Sequence, residues 1–292
     1  MKAADLLLAG TFVLIWGSAF NSARLVVLDW PPFWALAIRF AITAPLLGLL
    51  VLLTRSRMPA RADLPRIAAM GLLGTGGYLA LSWWATAIIP SGLVALICAS
   101  SPLFVALGEV VGGRRPPALV WLGLALGWAG VAVLGAARIV GPIVGPGGAG
   151  EFAGVLLALV ASAAQAAGLL LFAPARGRVD LWTATFGQSL VSALLLLPLA
   201  FLKEGAPPTF VTPGVVAGMA YSVTVVGIGA YALLFAMLRR FPASTASALQ
   251  LLAPPVAAVI GWAALGERLG WADVAGGALT LAGLLLVFRA GR

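Results

Sequence analysis

The chain has 292 residues, of which 62% are hydrophobic before glycine is counted and only 9% are charged. A soluble domain carries about 25% charged residues, so this few cannot cover a water-soluble protein of this size. A soluble enzyme, a disordered regulator and a secreted disulfide scaffold are excluded. With no histidine and one cysteine, Cys98, there is no internal disulfide, no His/Cys metal site and no Cys–His nucleophile. The composition is that of a polytopic membrane protein.

A helix needs about 20 mostly apolar residues to cross about 30 Å of hydrocarbon. Taken in chain order, such runs occupy 5–27, 33–54, 65–87, 91–112, 118–137, 152–173, 181–202, 213–238, 244–265 and 271–289. The expected fold is an all-α membrane protein of ten transmembrane helices, joined by short loops and without a separate soluble domain. The first run follows Lys2 but contains the polar patch Ser18, Asn21 and Ser22, with no convincing small-residue cleavage site. It reads as a retained helix rather than a signal peptide.

The net charge of +9 is topological. With the N-terminus in the cytoplasm, Lys2, Arg55, Arg57, Arg61, Arg66, Arg114, Arg115, Arg176, Arg178, Arg239, Arg240, Arg289 and Arg292 fall inside. Arg24, Arg138, Lys203 and Arg268 fall outside, and Arg39 lies within a helix. This bias fits the positive-inside rule with both termini cytoplasmic, and nucleic-acid binding is not needed to explain the charge. Trp30, Trp34, Trp182 and Trp271 lie at helix ends, where interfacial anchoring is the expectation.

Slid against itself by 153 residues, the chain shows sixteen identities over 74–130, among them Gly74/Gly227, Gly76/Gly229, Tyr78/Tyr231, Pro102/Pro255, Arg115/Arg268, Gly123/Gly276 and Gly130/Gly283. A weaker match at an offset of 144 pairs Gly10 with Gly154, Ser18 with Ser162 and Asn21 with Gln165. The expected organisation is two five-helix repeats, 1–140 and 151–292. Because five is odd, the second enters the bilayer inverted, the arrangement in which transporters place a substrate site near the midplane.

Trp16-Gly17-Ser18-Ala19-Phe20, Arg39-Phe40, Ser101-Pro102 and Gly266-Glu267-Arg268-Leu269 occur in the first, second, fourth and ninth runs. In this order they resemble the EamA-type drug/metabolite transporter superfamily, and within it the YddG-type exporters of aromatic and other neutral amino acids. The resemblance covers nearly the whole chain and implies the five-plus-five architecture and metabolite export. One departure is that Gly113-Arg114 stands opposite Gly266-Glu267, so a role needing the glutamate in both halves is not available here.

Polar groups inside a bilayer are costly and mark candidate sites. Arg39 lies about two turns, or roughly 9 Å, from its helix end; it either holds a substrate carboxylate or snorkels to the interface. Asn21 and Gln165 are equivalent hydrogen-bonding positions. Tyr78 and Tyr231, matched near mid-membrane, either face one central cavity or pack between helices with satisfied hydroxyls. Trp16 and one of the adjacent Trp83 and Trp84 can stack on an apolar or aromatic substrate, since neighbours on a helix diverge by about 100°; Trp83 is the candidate. Gln188 and Gln250, near the cytoplasmic ends of their helices, are secondary candidates, of which Gln250 is counted with the substrate-binding set. Glu109 is expected to pair with Arg114 or Arg115. Glycines in the third and eighth runs and the matched Pro102 and Pro255, expected to kink the fourth and ninth, nominate these four helices as moving elements. The small-residue stripes Gly123, Gly127, Gly130 and Gly276, Thr280, Gly283 indicate a rigid helix contact.

The nine acidic residues lie in loops or near helix ends, so no midplane carboxylate is available to exchange a proton for an organic cation. The expected function is a prokaryotic inner-membrane transporter that exports small amphipathic metabolites, chiefly aromatic and other neutral amino acids. Transport would run by alternating access through a cavity between the repeats. The alternatives are a broad-specificity multidrug exporter and a non-transporting sensor or scaffold. No catalytic residue, metal, cofactor, nucleic acid or obligatory protein partner is expected; the partners are a small-molecule substrate and the lipid bilayer.

Overall fold

Hydrocarbon offers the backbone no hydrogen-bond partners, so apolar runs of this length satisfy their own peptide groups as helices. A computed structural model of the chain describes residues 3–88, 94, 97–138, 148–241, 246, 248–256, 259 and 271–290. The long helices are α1 (Ala3–Val27), α2 (Pro32–Leu53), α3 (64–88), α4 (Ser101–Val111), α5 (Ala118–Arg138), α6 (Gly148–Phe172), α7 (Leu181–Glu204), α8 (Pro213–Arg240) and α9 (Trp271–Ala290). Of these, α2, α6, α7 and α8 contain stretches long and apolar enough to cross a membrane by length and composition. Large apolar side chains such as Leu7, Leu52, Leu194 and Leu202 are exposed, as lipid-facing positions require. The motif at 266–269 lies outside the described residues.

Two helices change their winding. In α3 the Gly-rich stretch Met70–Gly77 is π-helical, and in α8 Ser222–Ala230 is π-helical. The two stretches end at Gly77 and Ala230, which correspond under the 153-residue offset. The wide turns sit where the backbone meets its neighbours. A Cβ on Gly168 of α6 would stand 2.5 Å from the Gly74 Cα, and one on Gly71 would stand 2.7 Å from the Gln188 carbonyl of α7. On the other side, a Cβ on Gly218 would lie 2.8 Å from the Ser22 carbonyl of α1. Thus α3 packs on α6 and α7, while α8 packs on α1 and α2. Helices α2 and α7 also pack against each other.

Pro102 does not kink a continuous helix. A turn at Ala99 and Ser100 interrupts the span, and Pro102 sits in the first turn of α4, where its missing N–H has no intrahelical acceptor to lose. Ile97 and Cys98 retain partners: Ser162 Oγ of α6 donates to their carbonyls at 3.1 and 3.2 Å, and Ser100 Oγ donates to Ile97 at 2.6 Å. Near Pro255 the described backbone is a 3-10 turn, Leu249–Leu252, followed by helical 253–256.

Two end positions differ from simple interfacial anchoring. Trp30 and Trp34 are buried, and their indoles donate to the carbonyls of Phe210 (2.8 Å) and Gly205 (3.1 Å). The Glu204 carboxylate accepts from the N–H groups of Phe33 and Trp34 at 3.0 and 2.8 Å, filling orphan donors at the α2 N-terminus. Trp271 is exposed. Glu109 is buried but forms no ion pair with Arg114 or Arg115 among the described residues.

The small-residue stripes meet: a Cβ on Gly123 would lie 2.6 Å from the Gly283 carbonyl, and one on Gly130 would lie 2.5 Å from the Gly276 carbonyl. Leucine at position 130 would force α5 and α9 apart. Overpacking of this kind costs about 1–3 kcal/mol, so Gly130→Leu is expected to lower the thermal midpoint in detergent by about 3–10 °C. Thermal unfolding of the purified protein checks this; an unchanged midpoint would show that the contact is not needed.

Candidate functional site

A cavity with about 430 Å³ of empty space, mouth included, lies between the helix middles and the end of the bundle that carries Trp30. Its walls are Trp16, Ala19 and Ala23 of α1, Arg39 of α2, Tyr78, Leu79, Ser82 and Trp83 of α3, and Ser222, Val226 and Tyr231 of α8. Small-molecule pockets are mostly apolar with a few placed polar groups, and this lining has that character. Toward the opposite end, which carries Asp63, Phe172 and Phe235 pack edge to face, with centroids 4.7 Å apart.

The residues marked in the sequence divide clearly. Trp16, Arg39, Tyr78, Trp83 and Tyr231 come together around the cavity. Trp84 points elsewhere: it is partly exposed, packs on Phe33 and lies 5.6 Å beneath the Lys203 ammonium. Gln165 and Gln250 are buried but do not line the cavity. Both amide atoms of Gln165, and Nε2 of Gln250, have no partner among the described residues. The Asn21 side chain lies outside the described residues. Sequence reading passed over Ala19, Ala23, Leu79, Ser82, Ser222 and Val226, because small and aliphatic residues carry no chemical signal in an apolar run. Helical spacing was the available clue, since Ala19 and Ala23 follow Trp16 on one face of α1.

The electrostatic centre of the wall is Arg39. It is 1% exposed, so it does not snorkel. Its Nε donates to the Ser222 carbonyl at 3.1 Å, and the guanidinium carbon lies 5.0 Å from the Phe40 ring centroid. Nη2 has no partner, and no described carboxylate pairs with the group. Thr43 Oγ1 donates to the Arg39 carbonyl at 2.7 Å, fixing the helix below it. Around this cation stand aromatic faces: Trp16 meets Tyr231 edge-on at 5.6 Å and Phe12 at 5.2 Å. The Tyr231 hydroxyl, beside Thr75, makes no hydrogen bond of ordinary geometry. A buried cation lacking a counter-ion next to apolar and aromatic surface suits a molecule with one anionic group and an apolar body.

The cavity thus lies within a helical bundle that turns large apolar side chains outward. The profile of the EamA-like transporter family matches residues 4–136 and again 152–289, and the chain belongs to that family. It is 30% identical over 289 residues to a probable terminal-alkyne amino-acid exporter of Streptantibioticus cattleyicolor, covering 95% of this chain and 91% of that protein. It is 32% identical over 126 residues to the uncharacterized inner membrane transporter YedA of Escherichia coli, a match spanning 41% of this chain and 40% of that protein's length. A solved crystal structure that is 23% identical superposes with a TM-score of 0.76, covering 100% of this chain and 99% of the other, and shares its fold.

Away from the cavity, Asp63 holds the start of α3 to the loop before α7. Arg178 donates to it through Nη2 (2.6 Å) and Nε (3.3 Å), and Arg66 donates at 2.9 Å. The Arg178 hydrogen bond, helped by Arg66, holds the Asp63 carboxyl below the usual carboxylate range against the opposing cost of desolvation. Because the folded-state value is depressed, this contribution to stability is complete above the unfolded value of about 3.9. It is lost as pH falls through the lower folded value. Asp63→Asn is therefore expected to lower the thermal midpoint by the same amount from pH 5 to pH 8. The gap should close below about pH 4; a gap that persists in acid would show that charge is not what Asp63 supplies.

Proposed function

We propose that this transporter moves zwitterionic amino acids with apolar or aromatic side chains, and that it exports them. The single observation carrying this reading is Arg39: a permanently charged group, buried at the cavity wall, with Nη2 unpartnered and no carboxylate paired with it among the described residues. A substrate carboxylate supplies the missing charge, and Trp16, Trp83, Tyr78 and Tyr231 receive the side chain. The named amino-acid exporter among its relatives supports the same class.

In this reading the chain has ten spans in two inverted repeats, 1–140 and 151–292, with both termini cytoplasmic. The Asp63 end then faces the cytoplasm and the cavity belongs to the conformer open on the far side. Alternating access brings the same midplane region to each face in turn. Among the described residues no acidic side chain lines the cavity, which supports transport down the substrate gradient or by exchange. The multidrug-exporter reading draws on the aromatic lining alone and leaves Arg39 without a task.

The full-length protein in proteoliposomes, given radiolabelled phenylalanine, tests the reading. Uptake should saturate, be competed by threonine but not by phenethylamine, and be indifferent to a pH gradient. A hydrogen bond to a charged group contributes about 1.5–3 kcal/mol, so Arg39→Gln is expected to raise the KM for phenylalanine about 10- to 100-fold. Gradient-driven uptake of the dye ethidium, with phenylalanine ignored, would overturn the proposal in favour of drug export.

A further inference from the structure

Arg39 has a counterpart whose role is unassigned. Aligning α2 with α7 from their first turns pairs positions 149 residues apart, so that Arg39 falls on Gln188 and Thr43 on Ser192, with Leu46/Leu195 and Leu47/Leu196 identical. The hydrogen bonds repeat the match. Thr43 Oγ1 donates to the Arg39 carbonyl at 2.7 Å, and Ser192 Oγ donates to the Gln188 carbonyl at 2.8 Å. Both side chains then reach a π-helical segment in the opposite half. Arg39 Nε donates to the Ser222 carbonyl of α8, while Gln188 Oε1 accepts from Thr75 Oγ1 of α3 at 2.5 Å. Each keeps a buried donor nitrogen without a partner among the described residues, Arg39 Nη2 and Gln188 Nε2, in side chains 1% and 0% exposed. Glycines back the same two hydroxyl residues, Gly227 against Thr43 and Gly76 against Ser192. The pairing extends to the bundle ends, where Thr212 donates to Asp29 as Arg178 donates to Asp63.

One difference breaks the match: a guanidinium stands in the first half and a neutral amide in the second. Gln188 lies seven residues into α7, as deep from the Asp63 end as Arg39 lies from the Trp30 end. Resting on the inverted-repeat and amino-acid reading above, we propose that Gln188 Nε2 is a second carboxylate donor, covered in this conformer. It takes up the substrate carboxylate when the chain opens at the Asp63 end, as Arg39 does at the Trp30 end. A neutral N–H holds a carboxylate less tightly than a guanidinium, so the two faces of the transporter differ in affinity for the same substrate. A carrier with such an asymmetry still brings the substrate to the same final distribution, because the KM difference is matched in the maximal rates.

The test compares phenylalanine uptake by intact cells with uptake by inverted vesicles from the same cells, each corrected for cells lacking the protein. Q188E keeps the shape and the Thr75 bond but replaces the donor nitrogen with an oxygen. It should raise KM at least tenfold in inverted vesicles and less than twofold in intact cells. The exchange R39Q/Q188R should invert the wild-type ratio of KM between the two preparations, and it reports independently if Q188E is not recovered folded. Equal effects of Q188E on both faces, no effect on either, or an unchanged ratio in the exchange variant would overturn the proposal. Wild-type uptake competed equally by phenethylamine would instead sink the carboxylate reading itself.

Discussion

A guanidinium buried in a membrane protein without a counter-ion is the constraint on which the site depends. Arginine stays protonated in proteins, so Arg39 cannot escape burial by neutralising itself as a carboxylate would. Leaving a buried charge unpaired costs several kcal/mol. The chain meets part of that cost with the Ser222 carbonyl and the Phe40 ring, and leaves one nitrogen free at the cavity wall. The remaining wall is apolar, aromatic or small. The site therefore makes one strong electrostatic demand beside a large apolar surface, and this combination is what the proposed zwitterionic substrate would meet.

Close backbone approach makes the arrangement possible. Where α3 crosses α6 and α7, and where α8 crosses α1 and α2, glycines stand in for side chains and the helices widen into π turns. Such segments are frequent at functional positions in helices. They bring Thr75 to Gln188 and the Ser222 carbonyl to Arg39. The α5–α9 pair, by contrast, is held by matched glycine stripes and carries no cavity residue. The bundle thus combines a tightly sealed helix pair with a crossing region where polar groups are left available.

Much of the site was legible because polar and amphipathic residues are conspicuous in an apolar chain. Trp16, Arg39, Tyr78 and Tyr231 stood out for that reason, and the structure gathers them with Trp83. Helical geometry already required Trp83 and Trp84 to diverge. It did not say which would face inward, since that depends on how α3 is rotated against α2 and α8. Gln165 and, secondarily, Gln250 were also candidates, yet both are buried and neither lines the cavity. Pro102 was expected to kink a helix and instead stands in the first turn of α4, while Ser162 of another helix donates to the carbonyls of Ile97 and Cys98 just before it. No local signal announces a partner 64 or 65 residues away. Trp30 and Trp34 had the spacing of interfacial anchors but dock on the 205–210 segment, which only the fold brings near.

By itself the sequence determined the solvent: apolar runs of spanning length with 9% charge belong in a bilayer, and their peptide groups must be helical. It also determined which residues are too costly to be there without a purpose, and a correspondence between segments 153 residues apart. Only the tertiary structure decided which of those residues meet, where the helices unwind, and that Arg39 lines a cavity with no carboxylate partner among the described residues. The reason is that cost belongs to a residue and its immediate medium, whereas pairing belongs to surfaces. Which surfaces touch is set by how glycine-lined helices cross, and no single helix contains that information.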